Sequence, residues 1–220
     1  MGKLTADAIV ERALEIGDAE GLDSVTIRRL ATDLGVTPMA LYWHFKNKEQ
    51  LLAGMADHLV DGFAPRSGDG RPWQEELREL VEGLIRVLRR HPCAKDVLEQ
   101  TDHTDVPSFL KVWNGSLGLA RSAGFGPKES CLISRFLLEG AISIAGSSGH
   151  VHRRLPDDEA AELRRVKRLR LQSLPVGVYP YLVEMAEPMA EGGDEEFYDS
   201  FGVDLLLGGI DTLAARHSGE

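Results

Sequence analysis

The sequence predicts an all-α protein with a small N-terminal domain, residues 1–63, and a larger helical domain, residues 72–217. Three observations support this prediction. Apolar residues recur at helical spacing in most segments of the chain, and glycine or proline separates many of those segments. The 220 residues are 43% apolar, which is enough for a substantial core. Residues 64–72 are rich in glycine, proline and serine, so we place the domain boundary there.

The first helix is predicted over residues 5–20. Ile9 and Ile16 fall on one face of it, seven residues apart, with further apolar residues between them. Thr5 is a good N-cap, because its hydroxyl can accept a hydrogen bond from a free backbone N–H of the first turn. Gly21 follows the predicted end. We expect this helix to pack behind the segment that comes next.

Residues 26–48 predict two short helices joined by a tight turn. Thr26 is a suitable N-cap for the first helix, and Gly35 permits the left-handed conformation that ends a helix. Thr37 can cap the second helix. Pro38 then falls at its first position, where a missing backbone N–H costs nothing.

The second helix of this pair is expected to end near His44 and Phe45. Leu41 and Phe45 are four residues apart, so both are expected to face Leu30 of the first helix. The outer face then stays free. A short helix held at a fixed angle by its neighbour fits the major groove of DNA, which is about 12 Å wide. The segment therefore predicts a helix-turn-helix motif, and the alternative is a surface hairpin of a generic helical protein.

Further helices follow the motif. Asn47 opens the next one, with Gln50 three residues later as a variant of the capping box. The larger domain is predicted to contain amphipathic helices over residues 73–90, about 93–100, 106–123, 128–147, 157–173 and about 195–216. Residues 148–156 are expected to form a loop.

The helices at 128–147 and 195–216 are apolar on more than one side. One side can face the domain core, so the other is a candidate subunit interface. Gly202, Gly208 and Gly209 each cost about 1 kcal/mol in a helix interior relative to alanine. Close approach of another helix would compensate for that cost. We therefore predict a homodimer formed through these two helices.

Two strings of the sequence carry a family resemblance. Residues 34–52, LGVTPMALYWHFKNKEQLL, resemble the N-terminal DNA-binding domain of the tetracycline-repressor (TetR) family. Residues 201–216, FGVDLLLGGIDTLAAR, resemble the last helix of that family. The resemblance implies an N-terminal three-helix helix-turn-helix domain and a larger ligand-binding and dimerisation domain. It also implies a homodimer on a palindromic double-stranded DNA operator, a small-molecule effector that releases the DNA, and repression rather than activation.

The resemblance also assigns expected roles in DNA binding. Arg28 is expected to reach a guanine edge, and Trp43 to lie partly in the core and partly against the DNA backbone. Met39 can touch a thymine methyl but cannot hydrogen-bond a base, so the operator is expected to differ from that of the tetracycline repressors. Tyr42, His44 and Lys48 are expected to hold phosphates. The DNA-binding candidates are Thr26, Arg28, Thr37, Pro38, Met39, Ala40, Tyr42, Trp43, His44 and Lys48.

The charge of the chain is unevenly distributed. The net charge is −10, which is unusual for a protein that binds nucleic acid. Residues 26–48, however, contain two Arg and two Lys against Asp33, a local net charge of +3 by counting. Phosphate contacts need positive charge on one face rather than a basic chain. The composition is therefore compatible with DNA binding by this segment.

The larger domain supplies candidates for effector binding. They are Leu84, His103, Phe109, Trp113, Phe136 and Glu139. Helical spacing alone does not separate a cavity wall from ordinary core packing. The family's tetracycline binders place a His near position 98 and a Glu near position 144, where this chain has Leu98 and Ile144. We therefore expect an effector other than tetracycline.

No cofactor or metal is expected. His150 and His152 share a loop without a third ligand, which is a weak metal signal. Cys93 and Cys131 are too few for a disulfide framework and are expected to pack as small buried groups. No stretch resembles a signal peptide or a membrane span, so we expect a cytoplasmic protein without membrane association.

The sequence is compared with two other classes of function, an enzyme and a DNA-binding protein without an effector. An enzyme is disfavoured because the sequence contains no Walker A loop, nucleophile elbow, HExxH motif or dinucleotide fingerprint. A dimeric, sequence-tolerant DNA-binding protein without an effector is the other alternative. The second domain argues against this alternative, because it is rich in aromatic residues and larger than a dimer interface alone needs.

Overall fold

The computed structural model describes residues 4–63, 70–147, 156–191 and 195–217, and every regular element in these ranges is a helix. The N-terminal part contains α1 (Ala6–Glu20), α2 (Ile27–Asp33), α3 (Pro38–Tyr42) and α4 (Lys48–Val60). A short 3₁₀ turn, Leu22–Ser24, follows α1. Helices α1, α2 and α3 form the three-helix unit, and α4 connects it to the larger domain.

The predicted N-caps of the first four helices are confirmed. In each, the side-chain oxygen accepts a hydrogen bond from the backbone N–H three residues later. These caps are Thr5, Thr26, Thr37 and Asn47, at 3.2, 3.2, 3.4 and 2.8 Å. The side chain of Gln50 accepts from the N–H of Lys46 at 2.8 Å rather than from that of Asn47. The capping box therefore closes one residue earlier than in its usual form.

The second motif helix is shorter than expected. Helix α3 ends at Tyr42, whereas the sequence indicated an end near His44 and Phe45. The backbone N–H groups of His44 and Phe45 both donate to the carbonyl oxygen of Leu41, each at 2.9 Å, so the last turn tightens. The chain then extends to Asn47 (φ −154°), which starts α4.

The larger domain follows after residue 72. Its helices are α5 (Trp73–Arg90), α6 (Ala94–Gln100), α7 (Pro107–Ser122), α8 (Pro127–Ser147), α9 (Asp157–Gln172), α10 (Pro180–Glu184), α11 (Ala186–Glu191) and α12 (Glu195–His217). The predicted ranges agree with these bounds to within about two residues. Residues 64–69 and 148–155, which make up most of the two predicted loops, lie outside the described residues.

The core of the larger domain lies between four long helices, α5, α7, α8 and α12. Helix α4 packs on α1 at one end and on α6 and α7 at the other. Most buried apolar side chains form one continuous cluster that begins at Ile9 and ends at Ala214, and the buried alanines of α9 and α11 lie outside it. Helix α9 packs mainly on α10 and α11. A change in α7 can therefore reach the N-terminal domain through α4.

No helix in the described part of the chain is both long enough and apolar enough to cross a membrane.

Candidate nucleic-acid interface and ligand cavity

Helix α3 is held on its inner side and open on its outer side. Leu41 is fully buried and Phe45 is 8% exposed, and both belong to the same apolar cluster as Leu30 of α2. On the outer side, Met39 and Trp43 are 67% and 78% exposed. Exposed apolar side chains that lie together on one surface often mark a site of interaction. This arrangement leaves the outer face of α3 available for a second molecule.

The predicted DNA-binding residues surround that outer face. Ala40 is half-buried, and the other nine candidates are exposed. The hydroxyls of Thr26 and Thr37 cap α2 and α3, so each has a structural role in the free protein. The guanidinium group of Arg28 forms no ion pair with any residue that the structure describes. It is exposed at the first turn of α2.

Trp43 does not enter the core, contrary to the expectation that it lies partly there. Its ring projects from the turn after α3, and the ammonium group of Lys46 lies 5.6 Å from the ring centroid. The same ammonium group donates to the carbonyl oxygen of Tyr42 at 3.0 Å. Phe45, two residues later, takes the buried position instead.

The local positive charge is smaller than the residue count indicated. Arg29 donates to both carboxylate oxygens of Glu20, at 2.7 and 2.8 Å, and to Asp33 at 3.2 Å. Arg12 of α1 donates to Asp33 at 2.7 Å. The hydrogen bond from Arg12, and then that from Arg29, hold the pKa of Asp33 below its ordinary value. Arg29 therefore fixes α2 against α1, and the positive charge of the outer face comes from Arg28 and the nearby lysines.

A cavity of about 310 Å³ lies between α4, α5, α7 and α8. Its walls are mostly apolar and aromatic. They are formed by Val60, Phe63, Leu80, Val81, Leu84, His103, Phe109, Val112, Trp113, Ser116, Cys131, Ser134, Arg135, Leu137 and Leu138. A volume of this size accommodates a small organic molecule.

Four of the six predicted effector-binding residues line the cavity, namely Leu84, His103, Phe109 and Trp113. Phe136 and Glu139 do not. Phe136 is 59% exposed, and Glu139 accepts a hydrogen bond from Arg135 at 2.7 Å. Successive residues of a helix are about 100° apart, so Phe136 lies on the side of α8 opposite Ser134, whereas Glu139 is bonded to Arg135, which lines the cavity. The expectation that Phe136 and Glu139 themselves form cavity walls was wrong, and a role of Glu139 in effector binding stays a prediction.

The cavity contains residues that the sequence reasoning missed. Ser116 and Ser134 are 4% and 8% exposed, and their hydroxyl oxygens are 2.6 Å apart. Their signal in the sequence is a small polar residue on the apolar face of a long helix. Cys131 lines the cavity and is exposed, which contradicts the expectation that both cysteines are buried. Cys93 is buried, and burial together with the nearby Asp18 raises the pKa of its thiol.

A hydrogen-bonded contact joins the cavity to the N-terminal domain through α4. Helix α7 begins at Pro107 without a side-chain cap of its own. Instead, a carboxylate oxygen of Asp57 in α4 accepts from the backbone N–H of Ser108 at 2.7 Å, and Asp61 accepts from its hydroxyl at 3.3 Å. The next residue, Phe109, is a cavity wall. Asp57 therefore caps α7 from another helix, one residue away from the cavity.

A second contact lies at the other end of the N-terminal domain. The carboxylate of Asp18 in α1 lies 2.8 Å from Nδ1 of His91 and accepts from the backbone N–H of Cys93 at 3.1 Å. Both partners belong to the connection between α5 and α6. The N-terminal domain is thus attached to the larger domain at two separate places, through Asp57 of α4 and Asp18 of α1.

The structure also bears on the metal and tetracycline expectations. Within the described ranges, no three or more His, Cys, Asp and Glu side chains are grouped so that they could hold a metal ion. His150 and His152 lie outside these ranges, and the absence of a metal stays a prediction. Leu98 is buried and Ile144 packs beside Gly202, and neither lines the cavity.

Comparisons with known proteins agree with this architecture. The chain is 29% identical over 224 residues to the HTH-type transcriptional repressor DrrR1 of Streptomyces coeruleorubidus, covering 99% of this chain and 81% of that protein. It is 36% identical over 221 residues to the class G tetracycline repressor protein of Vibrio anguillarum, covering 98% and 97%. The fold is similar to the crystal structure of the TetR family protein ActR of Streptomyces coelicolor in complex with actinorhodin, with a TM-score of 0.77. The two sequences are 26% identical, and the match covers 97% of this chain and 99% of ActR.

Two family models match the chain. The model of bacterial regulatory proteins of the tetR family matches residues 3–55, which contain α1, α2, α3 and part of α4. The model of the tetracyclin repressor-like C-terminal domain matches residues 64–214, which contain the cavity. The family is one of transcriptional regulators rather than of enzymes. The chain therefore belongs to the TetR family of bacterial regulatory proteins and is a ligand-responsive, DNA-binding transcriptional regulator.

Proposed function

We propose that the chain is a homodimeric repressor that binds a palindromic DNA operator through α3 and is released when a small molecule occupies the cavity. One observation carries this proposal: the cavity wall at Phe109 directly follows Ser108, whose backbone N–H is bound to Asp57 of α4. A ligand that moves the start of α7 must therefore move α4 or break this contact. Helix α4 in turn packs on α1 of the DNA-binding unit.

Two-fold pairing through α8 and α12 is supported by side chains that a single chain leaves exposed. On α8, Leu132 and Phe136 are 56% and 59% exposed. On α12, Phe197, Phe201 and Leu205 are 59%, 52% and 65% exposed. These two helices already pack on each other within the chain. A second copy would cover both faces with the same surfaces, as a two-fold interface requires.

The glycines of α12 also support this pairing. A side chain added at Gly202 would meet Ile144 of α8, so that glycine permits close approach within the chain. A side chain added at Gly208 or Gly209 would meet no atom within 4 Å in the part of the chain that the structure describes. Their helix-propensity cost is therefore uncompensated in the single chain, and the close approach of a partner helix would offset it.

The effector is proposed to bind in the cavity formed by α4, α5, α7 and α8. The similar protein ActR is described in complex with actinorhodin, which supports an organic ligand in a domain of this kind. Leu98 and Ile144 support an effector other than tetracycline. A ligand that binds the DNA-free conformation more tightly by about 1–3 kcal/mol weakens DNA binding by about 5- to 150-fold. Since the proposed operator is chromosomal DNA of a bacterium, we also propose that the protein acts in the cytoplasm.

Selection of binding sites from genomic or random DNA with the purified chain tests this function. We expect enrichment of a palindrome, bound by two copies of the chain per DNA duplex. We also expect Arg28→Ala to reduce the preference for the selected site, while the exposed Asp23→Ala control keeps it. Binding that is indifferent to sequence would instead favour the alternative of a DNA-binding protein without operator specificity.

A further inference from the structure

The two serine hydroxyls of the cavity have a defined hydrogen-bonding direction. The hydroxyl of Ser116 donates to the carbonyl oxygen of Trp113 at 2.8 Å. A carbonyl oxygen only accepts, so this bond uses the single proton of Ser116. The oxygen atoms of Ser116 and Ser134 are 2.6 Å apart, and the proton between them must therefore come from Ser134. Both hydroxyl protons are therefore used in hydrogen bonds within the protein.

This arrangement leaves Ser134 as an acceptor. Its proton is bound to Ser116, but the lone pairs of its oxygen remain available. Ser134 is 8% exposed and lines the cavity, so water competes little for this oxygen. A ligand group that reaches it must supply the proton. A ligand carbonyl or ether oxygen at the same place would meet another oxygen without a proton between them.

His103 also offers a hydrogen-bond acceptor. Its Nε2 lies 2.8 Å from the carbonyl oxygen of Leu98, and therefore Nε2 carries the proton. In the neutral ring, Nδ1 is then an acceptor. The ring also stacks on Phe109, with centroids 4.0 Å apart and planes at 15°, and Phe109 meets the edge of Trp113 at 6.3 Å. His103 thus combines an acceptor with a flat aromatic surface.

We propose that this cavity selects flat aromatic molecules that carry hydrogen-bond donors, with phenols as the ligand class. This inference rests on the proposed function, because it assigns the chemistry of the proposed effector site. The aromatic walls at Phe109 and Trp113 favour a flat ring system. The acceptors at Ser134 and His103 favour hydroxyl groups of the ligand at these two places over carbonyl or ether oxygens. Arg135 also lines the cavity, and its guanidinium is paired with Glu139.

A matched pair of probes tests the ligand class with the full-length protein. Resveratrol is a flat, neutral phenol, and stilbene has the same skeleton without hydroxyl groups. Burial of apolar surface alone would favour stilbene, because it is the more apolar molecule. We expect resveratrol to bind about 10-fold more tightly than stilbene in a fluorescence titration, as one or two net hydrogen bonds provide. Equal or tighter binding of stilbene overturns the inference.

Two variants locate the acceptors. Ser134→Ala is expected to weaken resveratrol binding by about 2- to 12-fold, the loss of one neutral hydrogen bond, and to leave stilbene binding unchanged. His103→Phe keeps an aromatic ring against Phe109 and removes the acceptor, so it is also expected to weaken resveratrol binding. The control is Ser122→Ala, since Ser122 is an exposed serine of α7 that bonds only to its own helix. Equal effects of Ser134→Ala and Ser122→Ala on resveratrol overturn the assignment.

Operator binding separates this inference from the proposed function. If resveratrol binds with the expected preference but leaves the DNA complex intact, the cavity chemistry is supported and release by a cavity ligand is contradicted. If neither probe binds a preparation that still binds its operator, the inference is overturned while operator binding stands.

Discussion

Replacing Asp57 removes the cap that α4 supplies to α7, and the resulting loss of stability follows from the geometry. The N–H of Ser108 lies in the first turn of α7 and has no partner within that helix. Loss of an N-cap oxygen costs about 1 kcal/mol. Loss of a negative charge at a helix N-terminus costs a further 0.3–1 kcal/mol or so. Ser108 is 6% exposed, so water replaces the carboxylate poorly, and we expect Asp57→Ala to lower the free energy of unfolding by about 1–3 kcal/mol.

Urea denaturation measures this loss. All variants must be compared at one protein concentration, because the stability of a dimer depends on concentration. Asp57→Asn keeps an oxygen acceptor but removes the charge, so its loss is expected to be less than half that of Asp57→Ala. Asp23→Ala is the control, because Asp23 is an exposed aspartate of the same domain, and we expect a change within about 0.5 kcal/mol. If Asp57→Ala is as stable as this control, Asp57 does not stabilise α7 by capping it.

Three further predictions concern other parts of the molecule. Arg28→Ala is expected to reduce discrimination between operator and random DNA by about 1–3 kcal/mol in a binding titration, and full retention contradicts its base-reading role. Gly202→Ala places a carbon 2.9 Å from Cγ1 of Ile144, so we expect thermal unfolding to show a loss of about 1–3 kcal/mol; a gain would show that Ile144 moves aside. Arg12→Met is expected to raise the pKa of Asp33 in an NMR titration. Because the folded pKa of Asp33 is depressed, this ion pair stabilises the protein above the unfolded pKa of about 3.9, and its contribution is lost as the pH falls through the folded pKa. If the pKa of Asp33 is the same in Arg12→Met as in the parent protein, Arg12 does not lower it.

Much of the fold could be predicted because its signals are local. A cap such as Thr26 and a stop such as Gly35 act on neighbouring residues, so the sequence alone indicates where the helix begins and ends. The end of α3 was missed because it depends on two N–H groups that share the carbonyl oxygen of Leu41, which is a detail of geometry. The two 3₁₀ segments, Leu22–Ser24 and His103–Asp105, were not predicted because they are too short to carry a periodic pattern.

The sites were less accessible to sequence reasoning because they depend on contacts between distant residues. Arg29 counts as a DNA-facing charge in the sequence, yet Glu20 of the preceding helix binds it. Phe136 and Ser134 both lie on an apolar helix, and only the packing of α8 shows which of them faces the cavity. The cap that Asp57 supplies to Ser108 spans 51 residues of sequence, so no local pattern predicts it.

The central claim is that occupancy of the cavity and binding of the operator oppose each other. Fluorescence anisotropy with a labelled duplex of the selected palindrome tests it, with and without a saturating ligand that a thermal-shift screen identifies. The ligand is expected to raise the Kd for the operator by about 5- to 150-fold, and by reciprocity the operator must weaken ligand binding by the same factor. An operator Kd that is unchanged when the cavity is saturated would contradict the claim.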